Sequence, residues 1–409
     1  MLLRLKKRKV HSGRTVLYSA LIGWKIFNEI REEKNDMKKK LLGILLAGVM
    51  VISLAACSGG EKASSEDSTP KSGETTEKTD KKDGDFKVGI SMKTLDGAYF
   101  TALSTHITDF CEEKGWTVTT LNADSDTLKE AENMDTFITQ GYDLIFMDPY
   151  DPEGAVAAID KANDAGIPVI CCDNSCGESA HNVTTVFSDN LQNGREVGLW
   201  VGANCFDKDE LISAVLIAGQ KGVYAGQERR TGVICGVIET RSGCTEDEAW
   251  DAAEKMEAEL INNGSAKNDD ANFEIRGVGW GDWNANGGLA AAEDLIVANP
   301  NINFLFGEND AMVMGAMTAV ENAGLTDKVV LAAAADGQKE AYELIKKGTS
   351  YKATGENNPK VVAETAVGIA EDILVNGKDP GGYEKYTKTP ANCINPDNVD
   401  EFYSPDALF

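Results

Sequence analysis

Polar and aromatic side chains recur in this chain directly after short apolar segments. Aromatic rings present flat apolar faces, and Asp, Asn and Arg side chains offer hydrogen bonds in fixed planes. This combination suits the C–H faces and the hydroxyl groups of a small ring-shaped ligand. The candidates are Asp96, Tyr99, Phe100, Asp173, Asn174, Arg229, Trp283, Asn309, Asp336 and Asn357. Any one of them alone is more typical of a helix cap or a turn, so the argument depends on their number.

The stretch around Asn309 shows how such residues are positioned. Phe304–Phe306 is a short apolar run without polar alternation, which is typical of a strand buried on both faces of a parallel sheet. Asp310 is a good N-cap and Ala311–Asn322 are good helix formers, so a helix is predicted there. Glu308 and Asn309 are therefore expected on the turn at the carboxyl end of the strand, where open α/β sheets bind ligands.

The same strand–turn–helix pattern repeats along the chain. It predicts an α/β fold with parallel sheets covered by helices on both faces. The units are too many for one sheet, so we expect two doubly wound lobes. The predicted strands are Phe86–Met92, Trp116–Asn122, Leu144–Asp148, Pro168–Cys172, Thr184–Phe187, Leu211–Ala218, Phe273–Val278, Ile302–Phe306, Val329–Ala334 and Ser350–Thr354. The other predicted helices are Tyr99–Lys114, Thr127–Gln140, Pro152–Ala165, Leu191–Asn204, Glu246–Asn262, Asn286–Asn299 and Pro359–Val375.

Composition and motifs argue against several classes of function. The 409 residues carry a formal net charge of −26, which disfavours nucleic acid or an anionic membrane surface as a partner. The sequence has three histidines and lacks the P-loop, G-x-S-x-G, H-E-x-x-H and G-x-G-x-x-G motifs. We therefore predict neither an enzyme nor a metal or cofactor site. Two other classes of protein remain as alternatives. One is an enzyme built on the same two α/β lobes, and the other is a transcriptional repressor whose ligand-binding core consists of these lobes.

The N-terminal region has the features of an export signal. Three lysines precede the apolar run Leu41–Leu54, and small residues follow before Cys57. This predicts a signal peptide at 37–56, too short for a comfortable membrane span. Cys57 resembles the lipid-carrying cysteine of the bacterial lipoprotein lipobox. Residues 1–36 are interpreted as upstream sequence translated from an early start codon, and 57–85, which is almost free of apolar residues, is predicted to be a flexible tether.

The remaining cysteines predict free thiols rather than a disulfide framework. None of them forms a C-x-x-C pair, and most lie in apolar runs. Disulfides between Cys172 and Cys176 or between Cys235 and Cys244 are left open by the sequence.

Ordered motifs between Phe86 and Thr389 resemble the periplasmic sugar-binding proteins of the ribose- and galactose-binding type. That family shares the fold of the ligand-binding core of LacI-type repressors. The motifs are K-T-L-D-G-A-Y-F at 93–100, I-P-V-I-C-C-D-N at 167–174, S-D-N at 188–190, A-G-Q-E-R-R-T-G at 225–232, G-D-W-N at 281–284, F-G-E-N-D-A-M-V-M-G-A at 306–316, A-D-G at 335–337 and A-T-G-E-N-N-P at 353–359. The resemblance implies that Tyr99, Phe100 and Trp283 stack on a sugar ring. The implied hydroxyl-binding residues are Asp173, Arg229, Asn309, Asp336 and Asn357.

Some positions depart from the better-known members of that family. Gly97 stands where ribose binders carry an asparagine, and Asn174 stands where they carry an arginine. Val223 and Ala225 align with the His and Asp of galactose binders. The resemblance therefore implies a small polyol or sugar without identifying it. Within the site, Asp336 and Trp283 are expected to be the most costly contacts to lose.

The resemblance also implies two lobes joined by three crossing segments. The expected lobes are 86–188 plus 358–388, and 190–356 plus 389–409. The crossings are then expected near 188–190, 356–359 and 389–392. A ligand would lie between the lobes, and closure about these hinges would bury it. Glu308, outside the matched positions, is expected to matter little for binding.

The implied function is that of an extracytoplasmic lipoprotein, anchored to the cell membrane through a lipid on Cys57. It would capture a monosaccharide for an ABC importer, with the permease and its ATPase as partners. A chemoreceptor or sensor kinase is a further candidate partner. The alternative within binding proteins is a related non-sugar polyol or a furanosyl autoinducer signal, delivered to a transporter or a sensor.

Overall fold

The computed structural model describes residues 85–409, which fall within one compact unit. The strands, in chain order, are β1 (Lys87–Met92), β2 (Thr117–Asn122), β3 (Leu144–Asp148), β4 (Val169–Cys172), β5 (Thr185–Ser188), β6 (Ile212–Ala218), β7 (Ala266–Asn268), β8 (Phe273–Trp280), β9 (Phe304–Gly307), β10 (Val330–Asp336), β11 (Tyr351–Glu356), β12 (Tyr386–Thr389) and β13 (Cys393–Ile394). All the strands predicted from the sequence are therefore confirmed.

The helices lie between these strands as the alternation requires. They are α1 (Ala98–Glu113), α2 (Thr127–Thr139), α3 (Pro152–Asp164), α4 (Asn190–Asn204), α5 (Tyr224–Ser242), α6 (Glu246–Asn263), α7 (Ala285–Ala298), α8 (Asp310–Asn322), α9 (Lys339–Lys346), α10 (Pro359–Leu374) and α11 (Val399–Phe402).

The strands form two sheets with the same internal order. The first sheet runs β12-β5-β4-β3-β1-β2 and is parallel throughout. The second runs β13-β11-β10-β9-β6-β8-β7, with β7 and β13 antiparallel at its edges. Buried apolar clusters cover both faces of each sheet. The predicted fold class, two doubly wound α/β lobes, is confirmed.

The chain passes between the two sheets after β5, after β11 and after β12. These crossings are joined at Glu356, whose backbone carbonyl accepts from Ser188 Oγ at 3.0 Å and from Asn193 Nδ2 at 2.7 Å. The Glu356 carboxylate accepts from Asn392 Nδ2 at 2.7 Å. All three crossing segments therefore contact one residue, as expected of a three-segment hinge. The lobe bounds given above remain predictions.

Helix α5 is not among the helices predicted from the sequence. The helix is rich in glycine, and the glycines let it approach α4 closely. A Cβ atom on Gly232 would lie 2.3 Å from the carbonyl oxygen of Leu191, and one on Gly194 would lie 2.3 Å from that of Arg229. The glycines therefore serve helix packing here rather than a turn. Helix α9 was also not predicted.

Cys57, the signal segment and most of the tether lie outside the described residues. The eight cysteines of the described part carry free thiols. Within residues 85–409 no helix is both long and apolar enough to cross a membrane. The same residues contain no group of three or more metal-ligating side chains.

Candidate functional site

Arg229 and Asp336 form an ion pair at the carboxyl edge of the second sheet. Arg229 lies on the second turn of α5, and its Nη1 is 3.1 Å from Asp336 Oδ1. Its Nε donates to Asn190 Oδ1 at 2.9 Å, and its Nη1 also donates to the Glu308 carbonyl at 3.3 Å. Both side chains are almost fully buried. Arg229 therefore presents a guanidinium group whose plane is fixed by the protein.

Burial raises the pKa of Asp336 to about 6, although the Arg229 charge opposes the rise. The negative charge of the Asp310 carboxylate repels that of Asp336 and so also raises the pKa of Asp336. Asp336 therefore titrates close to neutral pH.

Asp310 fixes the turn that carries Asp336. Its fully buried carboxylate accepts from the Tyr351 hydroxyl at 2.5 Å and from the Thr354 hydroxyl at 2.7 Å. It also accepts from the Gln338 N–H at 2.7 Å and the Asp336 N–H at 3.3 Å. The predicted role of Asp310 as the N-cap of α8 is wrong, because both oxygens of its carboxylate accept hydrogen bonds from β10, β11 and the turn after β10.

Asn309 is the N-cap of α8 instead. Its Oδ1 accepts from the Met312 N–H at 3.1 Å, and its Nδ2 donates to the Trp283 carbonyl at 3.3 Å. The Trp283 indole lies against Gly219, where a Cβ atom would be 2.2 Å from the ring. The Arg229 guanidinium carbon is 5.9 Å from the indole centroid. We call Arg229, Trp283, Asn309 and Asp336 the second-lobe wall.

The first sheet contributes a cluster that the sequence did not predict as a whole. Lys93 Nζ lies 3.4 Å from Asp173 Oδ2, 3.6 Å from Asp148 Oδ1 and 4.3 Å from the Phe100 ring centroid. Within the described residues, neither carboxylate oxygen of the buried Asp148 has a hydrogen bond. We call Lys93, Phe100, Asp148 and Asp173 the first-lobe wall.

The charges of the first-lobe wall shift one another's titration. Burial raises the pKa of Asp148 to about 8, and the Asp173 charge adds to the rise while Lys93 opposes it. The two carboxylates raise the pKa of Lys93 despite its burial. Lys93 and Asp148 escaped sequence analysis because Lys93 was read only as part of a motif and Asp148 only as the end of a strand.

Tyr99 lies between the two walls. Its hydroxyl donates to Asn357 Oδ1 at 3.2 Å, and its ring meets Phe100 edge-on with centroids 5.6 Å apart. Burial raises the Tyr99 pKa well above its ordinary value, and Asp173 and Asp336 raise it further. Carboxylates from both sheets therefore lie close to one phenol. Asp173 and Trp283 adopt φ of 65° and 59°, a costly conformation that concentrates at functional sites.

Residues 88–379 match the family model described as periplasmic binding protein domain. This chain belongs to that family. The ribose import binding protein of Bacillus subtilis is 27% identical to it over 290 residues, 71% of this chain and 82% of the relative. The galactofuranose-binding protein of Escherichia coli is 27% identical over 321 residues, 77% of this chain and 89% of the relative. A solute-binding protein from Actinobacillus succinogenes with bound D-allose has a TM-score of 0.61 at 22% identity, covering 77% of this chain and 99% of that one.

Two predicted site residues stand apart from the walls of this periplasmic binding protein. Asp96 is exposed, and its backbone N–H bonds to Thr94 Oγ1 at 3.0 Å. The Asn174 side chain donates to the Pro149 carbonyl at 3.1 Å, which holds the loop after β3. Neither makes a described contact with the side chain of another predicted site residue, so their roles in binding remain predictions.

Glu308 lies behind the second-lobe wall and is fully buried. Its Oε1 is 2.9 Å from Arg230 Nη1, and its Oε2 accepts from the Gly219 N–H at 2.7 Å. Arg230 Nε also donates to Glu257 Oε1 at 2.8 Å. Glu308 therefore supports Gly219, against which Trp283 rests. Removing Glu308 would take one of two carboxylate partners from Arg230 and leave the Gly219 N–H unpaired, which concerns stability. The expectation that Glu308 matters little for binding stays a prediction.

Proposed function

We propose that this chain captures a monosaccharide between its two lobes and delivers it to an ABC importer. The observation that carries the proposal is the set of opposed polar walls, one on each sheet edge, with Tyr99 between them. Sugar hydroxyls can donate to Asp173 and Asp336 and accept from Arg229. Trp283 and Phe100 offer ring faces for the C–H surfaces of a sugar. Asn309 and Asn357 supply the remaining amide groups.

The charge of the site favours a neutral ligand. The pKa of about 8 leaves Asp148 mostly protonated at pH 7, so the two walls set the carboxylates of Asp173 and Asp336 against the two cations Lys93 and Arg229. A phosphate or carboxylate ligand would add negative charge to these four groups. Sugar hydroxyls would instead donate hydrogen bonds to the carboxylates. The names of the relatives, which refer to ribose and galactofuranose import or binding, support a sugar over a non-sugar polyol or an autoinducer.

The decisive experiment is thermal-shift screening of the purified protein against pentoses and hexoses. Binding to the native state alone raises stability by RT ln(1 + [L]/Kd), about 4 kcal/mol at a thousandfold excess over Kd. We expect one or a few neutral sugars to give such a shift, and their phosphorylated forms to give less. If no sugar shifts the transition, or a sugar phosphate binds more tightly than its parent sugar, the proposal fails.

The lipid anchor is a separate part of the proposal. It is supported by the position of Cys57 after a basic start, an apolar run and small residues. Cys57→Ser should release protein from the membrane, or leave an uncleaved precursor, without changing sugar affinity. Lipid found on the Cys57→Ser variant would refute the assignment.

A further inference from the structure

A segment following α11, residues 403–409, runs along the second lobe toward the site. Tyr403 donates to Glu343 Oε1 at 3.4 Å, and Lys346 Nζ lies 4.8 Å from the Tyr403 ring centroid. Lys339 Nζ donates to the Ala407 carbonyl at 2.9 Å. All three partners belong to α9. We call residues 403–409 the strap, and these contacts attach it to the second lobe.

The last residue of the strap contacts the first lobe. The Phe409 ring meets the Tyr99 ring edge-on, with centroids 5.5 Å apart and an interplanar angle of 85°. Phe409 is half-buried, whereas its neighbour Leu408 is 53% exposed. Phe409 is therefore more covered than its neighbour, and it belongs to a segment held by the opposite lobe.

The contact lies at the proposed sugar site. Tyr99 is the residue that lies between the two walls and bonds Asn357 at 3.2 Å. The strap is anchored on α9, which begins at Lys339, three residues after Asp336. A motion that separates the lobes would carry Phe409 and Asp336 together away from Tyr99.

We infer that the strap is a latch, in which Phe409 seats on Tyr99 when the lobes are together and slows the escape of the bound ligand. The inference rests on the proposed function, since it assigns a further residue to the same site. An edge-to-face aromatic pair favours the state that contains it by a factor of roughly three to ten. Because Phe409 touches Tyr99 only while the lobes are apposed, that factor acts on release of the ligand.

The test compares Phe409→Ala with Leu408→Ala, its exposed neighbour. With the sugar that stabilises the protein most, Phe409→Ala should raise the dissociation rate about threefold to tenfold in stopped-flow displacement, and calorimetric Kd should rise with it. Leu408→Ala should stay within about twofold of the unmodified chain, and so should Phe409→Tyr, which keeps the ring pair. A wild-type dissociation rate for Phe409→Ala would overturn the latch.

A measurement without ligand separates this inference from the proposed function. Without sugar, small-angle scattering of Phe409→Ala should give a larger mean radius of gyration than that of Leu408→Ala, because the contact between the lobes is missing. Equal radii would overturn the latch even if sugars bind. If no sugar binds the unmodified chain, the proposed function fails while the scattering comparison still decides whether the strap holds the lobes together.

Discussion

The two walls of the site differ in how fully their polar groups are satisfied. In the second-lobe wall, Arg229 is held by Asn190, Asp336 and a backbone carbonyl, and the Asp336 turn is fixed by Asp310. In the first-lobe wall, the buried Asp148 lacks a hydrogen bond among the described residues, and Lys93 is shared between two carboxylates. The second-lobe wall is thus organised in advance, which lowers the cost of binding, while the first-lobe wall contains a buried carboxylate whose hydrogen-bonding capacity is unused.

The strongest test of this contrast is Arg230→Ala, behind the second-lobe wall, because it leaves Glu308 and Glu257 buried without the cation that they share. Breaking a buried ion pair by removing one partner costs about 3–5 kcal/mol because the other charge stays buried. We expect a loss of that size in the free energy of unfolding from denaturant titration. Lys161→Ala, which breaks the exposed Lys161–Asp135 pair, is the control and should cost about 1 kcal/mol or less. Similar losses for both variants would mean that the second lobe is not pre-organised by this network.

The next largest effect is expected on sugar affinity at Asp336. Asp336→Ala removes a charged hydrogen bond and strands the buried Arg229, so Kd should rise by about tenfold to a few hundredfold. Trp283→Ala should lose a comparable amount through stacking and buried area.

Asp173→Ala should cost less than Asp336→Ala, because its side chain is 20% exposed and Lys93 keeps Asp148 nearby. Calorimetric titration of the three variants with the best sugar measures the order. A larger loss of sugar affinity for Asp173→Ala than for Asp336→Ala would mean that the first-lobe wall contributes more to binding than the second-lobe wall.

Binding should also depend on pH through Asp336. Its pKa of about 6 means that it becomes protonated on acidification, so that Kd should rise about tenfold between pH 7 and pH 5 if sugar needs the carboxylate. Asp336→Asn should bind more weakly and lose most of this dependence, and a flat profile for the unmodified chain would contradict the role.

Acidification should weaken sugar binding through Asp336 but should increase the stability contribution of the same residue. The pKa of Asp336 is higher in the folded chain than in the unfolded chain. Its contribution to stability is therefore greatest when the pH is below the pKa of the unfolded chain, and it is lost as the pH rises through about 6. The difference in unfolding free energy between the unmodified chain and Asp336→Asn, followed against pH, measures this contribution.

The smallest effect is expected at Tyr99, between the walls. Tyr99→Phe keeps the ring contacts and removes only the hydroxyl bond to Asn357, so sugar affinity should fall by about twofold to tenfold. Tyr224→Phe, at a ring that is 70% exposed, is the control and should bind like the unmodified chain. A loss at Tyr99 as large as that at Asp336 would show that the junction of the walls, not the second-lobe wall, dominates binding.

The fold was predictable because strands buried in a parallel sheet have a recognisable sequence pattern, a short continuous run of apolar residues. Apolar runs such as Phe304–Phe306 can be recognised without knowing their neighbours. Helix α5 escaped prediction because its glycines, such as Gly232, contact α4 rather than solvent, and a glycine-rich segment suggests a turn. What a glycine contacts depends on tertiary packing, which a single sequence does not reveal.

Single residues of the candidate site could be proposed from their type and position in the sequence, whereas the contacts between them could not. Arg229 and Asp336 were identified by type and position, and the structure pairs them. The contact of Lys93 with Asp148 and Asp173 depends on strand order, which brings β1, β3 and β4 side by side. The buried network of Glu308 was not predicted for the same reason, because its partners Arg230 and Gly219 are distant in the sequence.

The crossing after β11 has a consequence for how the protein is made. The first sheet is completed by β12, which pairs with β5, and α10 packs against the apolar face that contains Val88 and Phe146. A ribosome must therefore synthesise the second lobe from α4 through β11 before the first can close. Until then, β5 remains an open edge and part of the first core is uncovered. A nascent chain that cannot complete its first lobe early therefore stays incompletely folded until β12 has been synthesised.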